Sequence, residues 1–462
     1  MKKIITLSTI AFLSTAVFAA TDADMKIEKL EKKLAKLEKK VSKVNALAAK
    51  DNIKWDVDYR TSADKITYTA AGTGNEKGND LLLSHRLWLG MGYAPTDNML
   101  FRGQLAVNKV FGQPGQGAGS YEQFDWISNE TLTDETVRLR EAYWLYKDSF
   151  GDLTVTASVG RRPATNGFLA NLREDDAKAK SPMGHVINME FDGASTSVST
   201  DALLPGMMFK ICYGRGVSNA TPWGEGMTNY AEEAMALQNN DMIGFIFVPY
   251  NDGQYSLVST AYQGTNMPGI NTMGDMDPTN DMMMSFGTML GGAVSLKVEG
   301  IGDGISDFLD ETTVFASYAM SVTDPDAGQA MLGSLASETG TSIWAGINIP
   351  NMTGGKFGLE YNQGSEYWRP FTYGEDTLAG SKLAARGSAI EAYWNQPLID
   401  NVFSMQVRYT QISYDYTGSG GFFGDNGTPM AMDSMQVAGM TQMGMFVTEK
   451  AEDIRVSFRY RY

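Results

Sequence analysis

Hydrophobic and polar positions along this chain follow two different periods. From Met25 to Ala49 the apolar residues Ile27, Leu30, Leu34, Leu37, Val41, Val44 and Ala48 recur at alternating spacings of three and four, which is a heptad seam. From Asn52 onward the period becomes two. Ile53, Trp55, Val57 and Tyr59 alternate with Lys54, Asp56, Asp58 and Arg60. The closing stretch Asp453–Tyr462 repeats the pattern. Ile454, Val456, Phe458, Tyr460 and Tyr462 fall on one face, and Asp453, Arg455, Ser457, Arg459 and Arg461 on the other. Period two is the signature of a strand, because successive side chains point to opposite faces. An apolar face closed by aromatics, opposite a charged face, suits a strand of a transmembrane barrel. A soluble sandwich strand alternates in the same way, so the rest of the chain must decide.

The rhythm continues through sixteen such stretches. The first is Ile53–Tyr59, followed by a polar, glycine-bearing loop over Thr61–Asn79, and the second is Leu81–Tyr93. Tight turns are expected at Ala94–Asn98, Lys147–Asp152, Asp201–Gly206, Asn251–Gln254, Pro350–Gly355 and Asn395–Asp400, all rich in turn-forming residues. Longer polar stretches alternate with them, so the short turns share one end of the sheet with the C-terminus. An even strand count with one-sided short turns predicts a closed antiparallel barrel. Two places could raise the count to eighteen: Met282–Glu299, long enough for two strands, and Met430–Val447, whose pattern is poor. The expected fold class is therefore all-β: a transmembrane antiparallel β-barrel of sixteen strands, eighteen as the runner-up, with a short N-terminal α-helical coiled coil.

The N-terminus reads as a secretory signal. Lys2 and Lys3 precede an apolar run from Ile4 to Val17, and Val17-Phe18-Ala19 forms a small-x-small cleavage site. The expected division is a signal peptide over residues 1–19, a periplasmic coiled-coil segment over 20–50 and an outer-membrane β-barrel over 51–462. In the coil, Glu31 and Glu38 sit at e positions, and Lys26, Lys33 and Lys40 at g. Those charges would pair between parallel copies, and a helix this short is marginal without partner chains, the alternative being a single amphipathic helix lying against the barrel mouth. The Ile, Leu and Val mixture does not choose between two strands and three.

Composition narrows the function. The chain has 462 residues, with 49 glycines, 21 tyrosines, 21 phenylalanines and 8 tryptophans, which suits turns and aromatic girdles. A net charge of −16 argues against a nucleic-acid partner. One cysteine, Cys212, excludes an internal disulfide and a cysteine metal cluster, and two histidines, His85 and His185, leave little for catalysis. The methionine clusters around Met282–Met284 and Met430–Met445 could offer thioethers to Cu(I), but methionine is more often apolar filling. No catalytic residue, metal or cofactor is expected.

A diffusion pore needs only a polar lumen and a constriction. With the apolar faces turned to lipid, the lumen side receives Arg86, Arg102, Arg138, Arg140, Arg162, Arg408, Arg455 and Arg459. Recurring arginines would favour anionic solutes. Alternatively they pair with Asp and Glu of inward-folded loops and merely line a water-filled channel. The loop Pro163–Gly184 carries Arg173, Glu174, Asp175 and Asp176 and is the candidate constriction, the alternative being a purely external loop. The expected partners are outer-membrane lipid and lipopolysaccharide and small hydrophilic solutes. The rival class is a plugged barrel with a structural or adhesive role.

Several segments resemble known outer-membrane proteins. Leu139-Arg140-Glu141-Ala142-Tyr143-Trp144, followed one hairpin later by Val159-Gly160-Arg161-Arg162, is similar to a pair of strands found in bacterial porins. The heptads joined to Ile53–Tyr59, with Glu190-Phe191-Asp192-Gly193 and Gly358–Trp368, resemble a family of uncharacterised porin-like proteins with a short coiled coil ahead of the barrel. That resemblance implies an outer-membrane location and a porin class, and analogy with porin-type barrels suggests a homotrimer joined by the coil. It implies no substrate. The terminal Tyr462 resembles the assembly signal of such barrels, with tyrosine in place of the usual phenylalanine.

Overall fold

The computed structural model describes residues 53–112, 132, 136–176, 178–220, 233, 237–271, 282–302, 304–372 and 378–462. The signal peptide and the coiled coil expected before Asp51 lie outside them. Sixteen antiparallel strands form one closed barrel in sequence order. They are β1 (Lys54–Ala70), β2 (Glu76–Tyr93), β3 (Met99–Val110), β4 (Arg138–Phe150), β5 (Leu153–Ala164), β6 (Met189–Thr200), β7 (Met207–Val217) and β8 (Asn240–Asn251). The second half comprises β9 (Tyr255–Gly264), β10 (Gly287–Glu299), β11 (Thr313–Pro325), β12 (Thr339–Pro350), β13 (Lys356–Gly364), β14 (Gly387–Ile399), β15 (Phe403–Tyr414) and β16 (Thr448–Arg461). β16 pairs with β1, Tyr460 opposite Tyr59 and Arg459 opposite Arg60, and leaves no free edge. The last residue completes the seam: Val57 N donates to the Tyr462 carbonyl and Tyr462 N to the Val57 carbonyl, both at 2.9 Å.

The alternation read from the sequence becomes an inversion of polarity across the wall. Phe245, Leu290, Val294, Tyr318, Ile343 and Ile454 stand exposed on the outer face. Arg86, Gln104, Ser295, Glu360, Thr410 and Arg455 lie buried on the inner one. A water-soluble sandwich would bury its apolar faces. A barrel in lipid must expose them and keep every backbone group paired. Among the described residues no helix is long and apolar enough to cross a membrane.

Three expectations need correction. Thr61–Asn79 is not a loop: β1 runs to Ala70 and β2 begins at Glu76, with only residues 71–75 between them. Pairing on both sides, to β2 and β16, carries this polar segment as strand. Met282–Glu299 adds no second barrel strand. Gly287–Glu299 enters the wall, while Met282–Ser285 pairs with Pro268–Asn271 in a separate two-stranded sheet. Met430–Val447 is not a strand either, since Met435–Gln442 is helical, capped by Ser434, whose Oγ accepts from Val437 N at 3.3 Å. Sixteen strands are therefore present and eighteen are not.

Much of the interior is occupied. The described residues of the connection between β5 and β6 fold inward, as do those of the one between β13 and β14. They meet where Phe371 N donates to the Val186 carbonyl at 2.8 Å and Asn188 N to the Phe371 carbonyl at 2.6 Å. An apolar core including Met183, Met242, Tyr262, Trp368, Phe371 and Phe423 packs these segments against the inner wall. Leu169, on the first segment, reaches Phe315, Trp344 and Leu383 in a second cluster.

Candidate functional site: the charged interior and its inward-folded segments

Strand parity alone carries the arginines to the inner face. Register sets Arg86 opposite Arg60, Arg102 opposite Tyr143, Arg408 opposite Arg455, and Arg459 opposite Arg60. Arg138 faces Ala106 and Arg162 faces Phe191. Arg140 keeps the parity of Arg138, and the break in alternation comes at Glu141. Gln104 pairs with Glu141 and Leu105 with Leu139, so Arg140 is the extra residue of a β-bulge. The bulge turns both Arg140 and Glu141 inward, each about 1% exposed. Strict alternation would have sent Glu141 to the lipid.

Carboxylates accompany these cations closely. Arg86 lies 3.6 Å from Asp58, and Arg102 3.3 Å from Glu141 and 3.5 Å from Asp56. Arg140 lies 3.4 Å from Glu141 and 3.5 Å from Glu190, with its guanidinium 3.8 Å over the Trp88 ring. Arg455 pairs with Asp64, and Arg459 with Asp58. Arg408 lies 3.9 Å from Glu391, which also receives Lys382 and lies 3.6 Å from Arg173. Around most of the interior the charges are matched, as buried charges must be to offset desolvation.

The segment between β5 and β6 crosses the barrel to reach β14, β15 and β16. Its short helix, Ala170–Arg173, ends on a carbonyl at Arg173 that accepts from Asn395 Nδ2 at 3.1 Å and Gln406 Nε2 at 2.9 Å. Arg459 donates to the Glu174 carbonyl at 2.9 Å, and Arg461 to Asp176 Oδ1 at 2.9 Å. Arg408 stands 3.8 Å from the Glu174 carboxylate. All four expected loop residues, Arg173 through Asp176, therefore lie against the far wall rather than outside the barrel. Burial pushes the Asp175 carboxyl above its usual range. Below the segment a cavity of about 650 Å³ opens toward the short turns, bordered by Asp175, Asp176, Asp310, Asp400, Lys356 and Arg461.

The two histidines cannot act together. His85 lies between Tyr59 and Phe111, register partners Thr61 and Lys109 beside it. His185 is fully buried inside, with Nδ1 2.7 Å from Ser317 Oγ and Nε2 3.0 Å from Ser342 Oγ. Burial lowers its pKa to about 3, so the ring is neutral. Among the described residues no group of three or more acidic, histidine or cysteine side chains could hold a metal ion.

The family described as a protein of unknown function (DUF3373) is matched over residues 76–462, which is most of the chain. The chain belongs to the DUF3373 family. No match is found among curated proteins. The DUF3373 barrel is similar in shape to solved outer-membrane barrels. OmpT, an outer membrane protein of Vibrio cholerae, shares 10% identity with a TM-score of 0.46, covering 89% of this chain and 97% of its own. The anion-selective porin from Comamonas acidovorans shares 11% with a TM-score of 0.48, covering 89% and 99%. OprB of Pseudomonas putida shares 11% with a TM-score of 0.45, covering 91% and 96%.

Sequence reasoning set Asp58 and Asp453 on charged strand faces but named no wall carboxylate as lining, and it missed the second inward segment of this DUF3373 barrel. Asp58, Glu360, Glu391 and Asp453 share the parity of the arginines, so the same alternation could have found them. Trp368–Arg386 gave no such signal. Trp368 donates from Nε1 to the Leu383 carbonyl at 2.7 Å, and Arg386 donates to the Gly427 carbonyl at 2.7 Å.

Proposed function

We propose that this protein is an outer-membrane porin that passes small hydrophilic solutes by diffusion. The observation that carries the reading is a wall that is apolar outside and charged inside, crossed within by an inward segment above a polar cavity. The residues Arg173, Glu174, Asp175 and Asp176 form the constriction, and the eight inward arginines line the path. Because most of those arginines face carboxylates, any anion preference is weak, and a reversal potential under a KCl gradient measures it. The short turns and Tyr462 lie on the periplasmic side, the coil over 20–50 joins three copies, and lipid with lipopolysaccharide surrounds the barrel. No catalytic role is assigned, since the only imidazole inside is sealed between serines.

A second reading has its own support. Trp344, Trp368, Arg369, Phe371 and Phe423 are fully buried within the barrel, as a plug requires. Single-channel recording on purified protein decides between the two. Discrete conductance steps are expected for the porin, and a silent, correctly folded barrel would sink it in favour of a plugged structural or adhesive protein.

A further inference from the structure

One stretch of the inner wall carries almost no side-chain bulk. From β5 to β8 the inward positions read Gly160, Gly193 and Gly214 in one row, and Ser158, Ser195, Cys212 and Gly244 in the next. Across β6, β7 and β8 this leaves a flat floor about 10 Å wide, because paired strands lie about 4.8 Å apart. Ile187, Phe191, Met242 and Ile246 stand around the floor, and the recess they bound measures about 80 Å³. A Cβ added at Gly244 would meet nothing nearer than 3.8 Å, so the space over it is free. Ser195 and Cys212 are only half-buried, so the recess is open on its inner side.

The hydroxyls of the lining are already bonded. Ser195 Oγ lies 3.0 Å from Ser158 Oγ, and Thr260 Oγ1 donates to the Phe245 carbonyl at 2.9 Å. Arg162 donates to Ser158 Oγ, and its guanidinium lies 4.4 Å over the Tyr143 ring. An occupant therefore gains by covering apolar walls and glycine backbone, and it needs no charge of its own. Water gains little in such a place, since a buried water needs several polar partners. A flat floor suits a planar body better than a puckered one, and an open recess of this size seats a single ring with one edge outside. Phe191 supplies an aromatic neighbour for stacking or edge contact, and Met242 a thioether, which favours ring edges. We propose that this recess binds one uncharged aromatic ring, laid on the floor at Gly244 between Phe191 and Met242. The site does not depend on conduction and survives if the barrel proves silent.

Cys212, the single cysteine, lines the recess and reports on it. The probe is benzyl alcohol, and cyclohexylmethanol, of nearly the same size but puckered, is the comparison. Neutral iodoacetamide alkylates the thiol, the thiolate displacing iodide to give the S-carbamidomethyl product. The reaction is followed by intact mass on folded protein in detergent, with a small free thiol in the same detergent as reference. At about four times its dissociation constant, benzyl alcohol should slow Cys212 about fivefold relative to the reference. Cyclohexylmethanol at the same concentration should slow it less, and Gly244→Leu, which fills the recess, should abolish the protection. A second measurement follows the fluorine NMR shift of para-fluorobenzyl alcohol, which should saturate with wild-type protein and not with Gly244→Leu. It decides the matter if the thiol proves inert to iodoacetamide. Heat-modifiable migration verifies that the variant is folded. Protection that persists in Gly244→Leu, or that is equal for the two alcohols, overturns the proposal. So does a reactive thiol that benzyl alcohol leaves unprotected, or an inert thiol with a fluorine shift that does not saturate.

Discussion

Arg140 and Glu141 show how much one residue can change. Without the bulge, Glu141 would face hydrocarbon. With it, the carboxylate receives Lys180 Nζ at 3.1 Å and lies within reach of Arg102 and Arg140. His185 is the residue whose titration is most open to test. Its folded pKa is depressed to about 3 from an ordinary 6.5, so its neutral form is the one that packs between Ser317 and Ser342. Its contribution to stability is present above pH 6.5 and is lost as pH falls from there toward 3, because the unfolded chain takes up the proton first. The urea midpoint of the detergent-solubilised barrel should decline across that window, and the decline should be shallower in His185→Gln. An identical decline in both proteins would remove His185 as its source. At this scale the sequence was informative about arginines, because parity alone places them. Pairing with carboxylates of inward-folded loops was expected only as a class, since which ones meet, such as Glu174 and Asp176 with Arg459, follows from chain folding.

At the scale of elements, the segment between β5 and β6 is the one to remove. It is anchored by Asn395, Gln406 and Arg459 to backbone carbonyls, so its position does not depend on side-chain charge alone. Replacing residues 168–184 with a short glycine-serine linker should raise single-channel conductance about twofold or more, if the segment is the narrowest part of the path. Unchanged conductance would assign the narrowing to Trp368–Arg386 instead. The elements were legible where alternation was strong, as in β5, β9 and β16. They were misread where a strand carried polar residues on both faces, as in β1 beyond Thr61, which neighbours on both sides hold in the sheet. Inward folding of Trp368, Arg369, Phe371 and Arg386 was not legible, because these residues have no period and are satisfied by distant loops such as that holding Gly427.

For the whole molecule, the inverted polarity makes a simple prediction. Val294 sits mid-strand on the outer face, 53% exposed. Val294→Arg should destabilise the membrane-inserted barrel by about 2–4 kcal/mol, the cost of a charge at the bilayer midplane. Urea unfolding in lipid vesicles measures this, and a near-zero effect would mean that this face does not contact hydrocarbon. The closing seam has a further consequence, for assembly. Arg459 meets Asp58 across 401 residues of sequence, and the wall has no shorter way to become continuous. Bringing the two ends together is costly in chain entropy and cannot precede synthesis of the last strand. Until β16 arrives, β1 and β15 present bare edges to whatever strand is nearby. A chain truncated before Thr448 should therefore accumulate as an aggregation-prone intermediate, which makes the last fifteen residues the step that commits the barrel to closure.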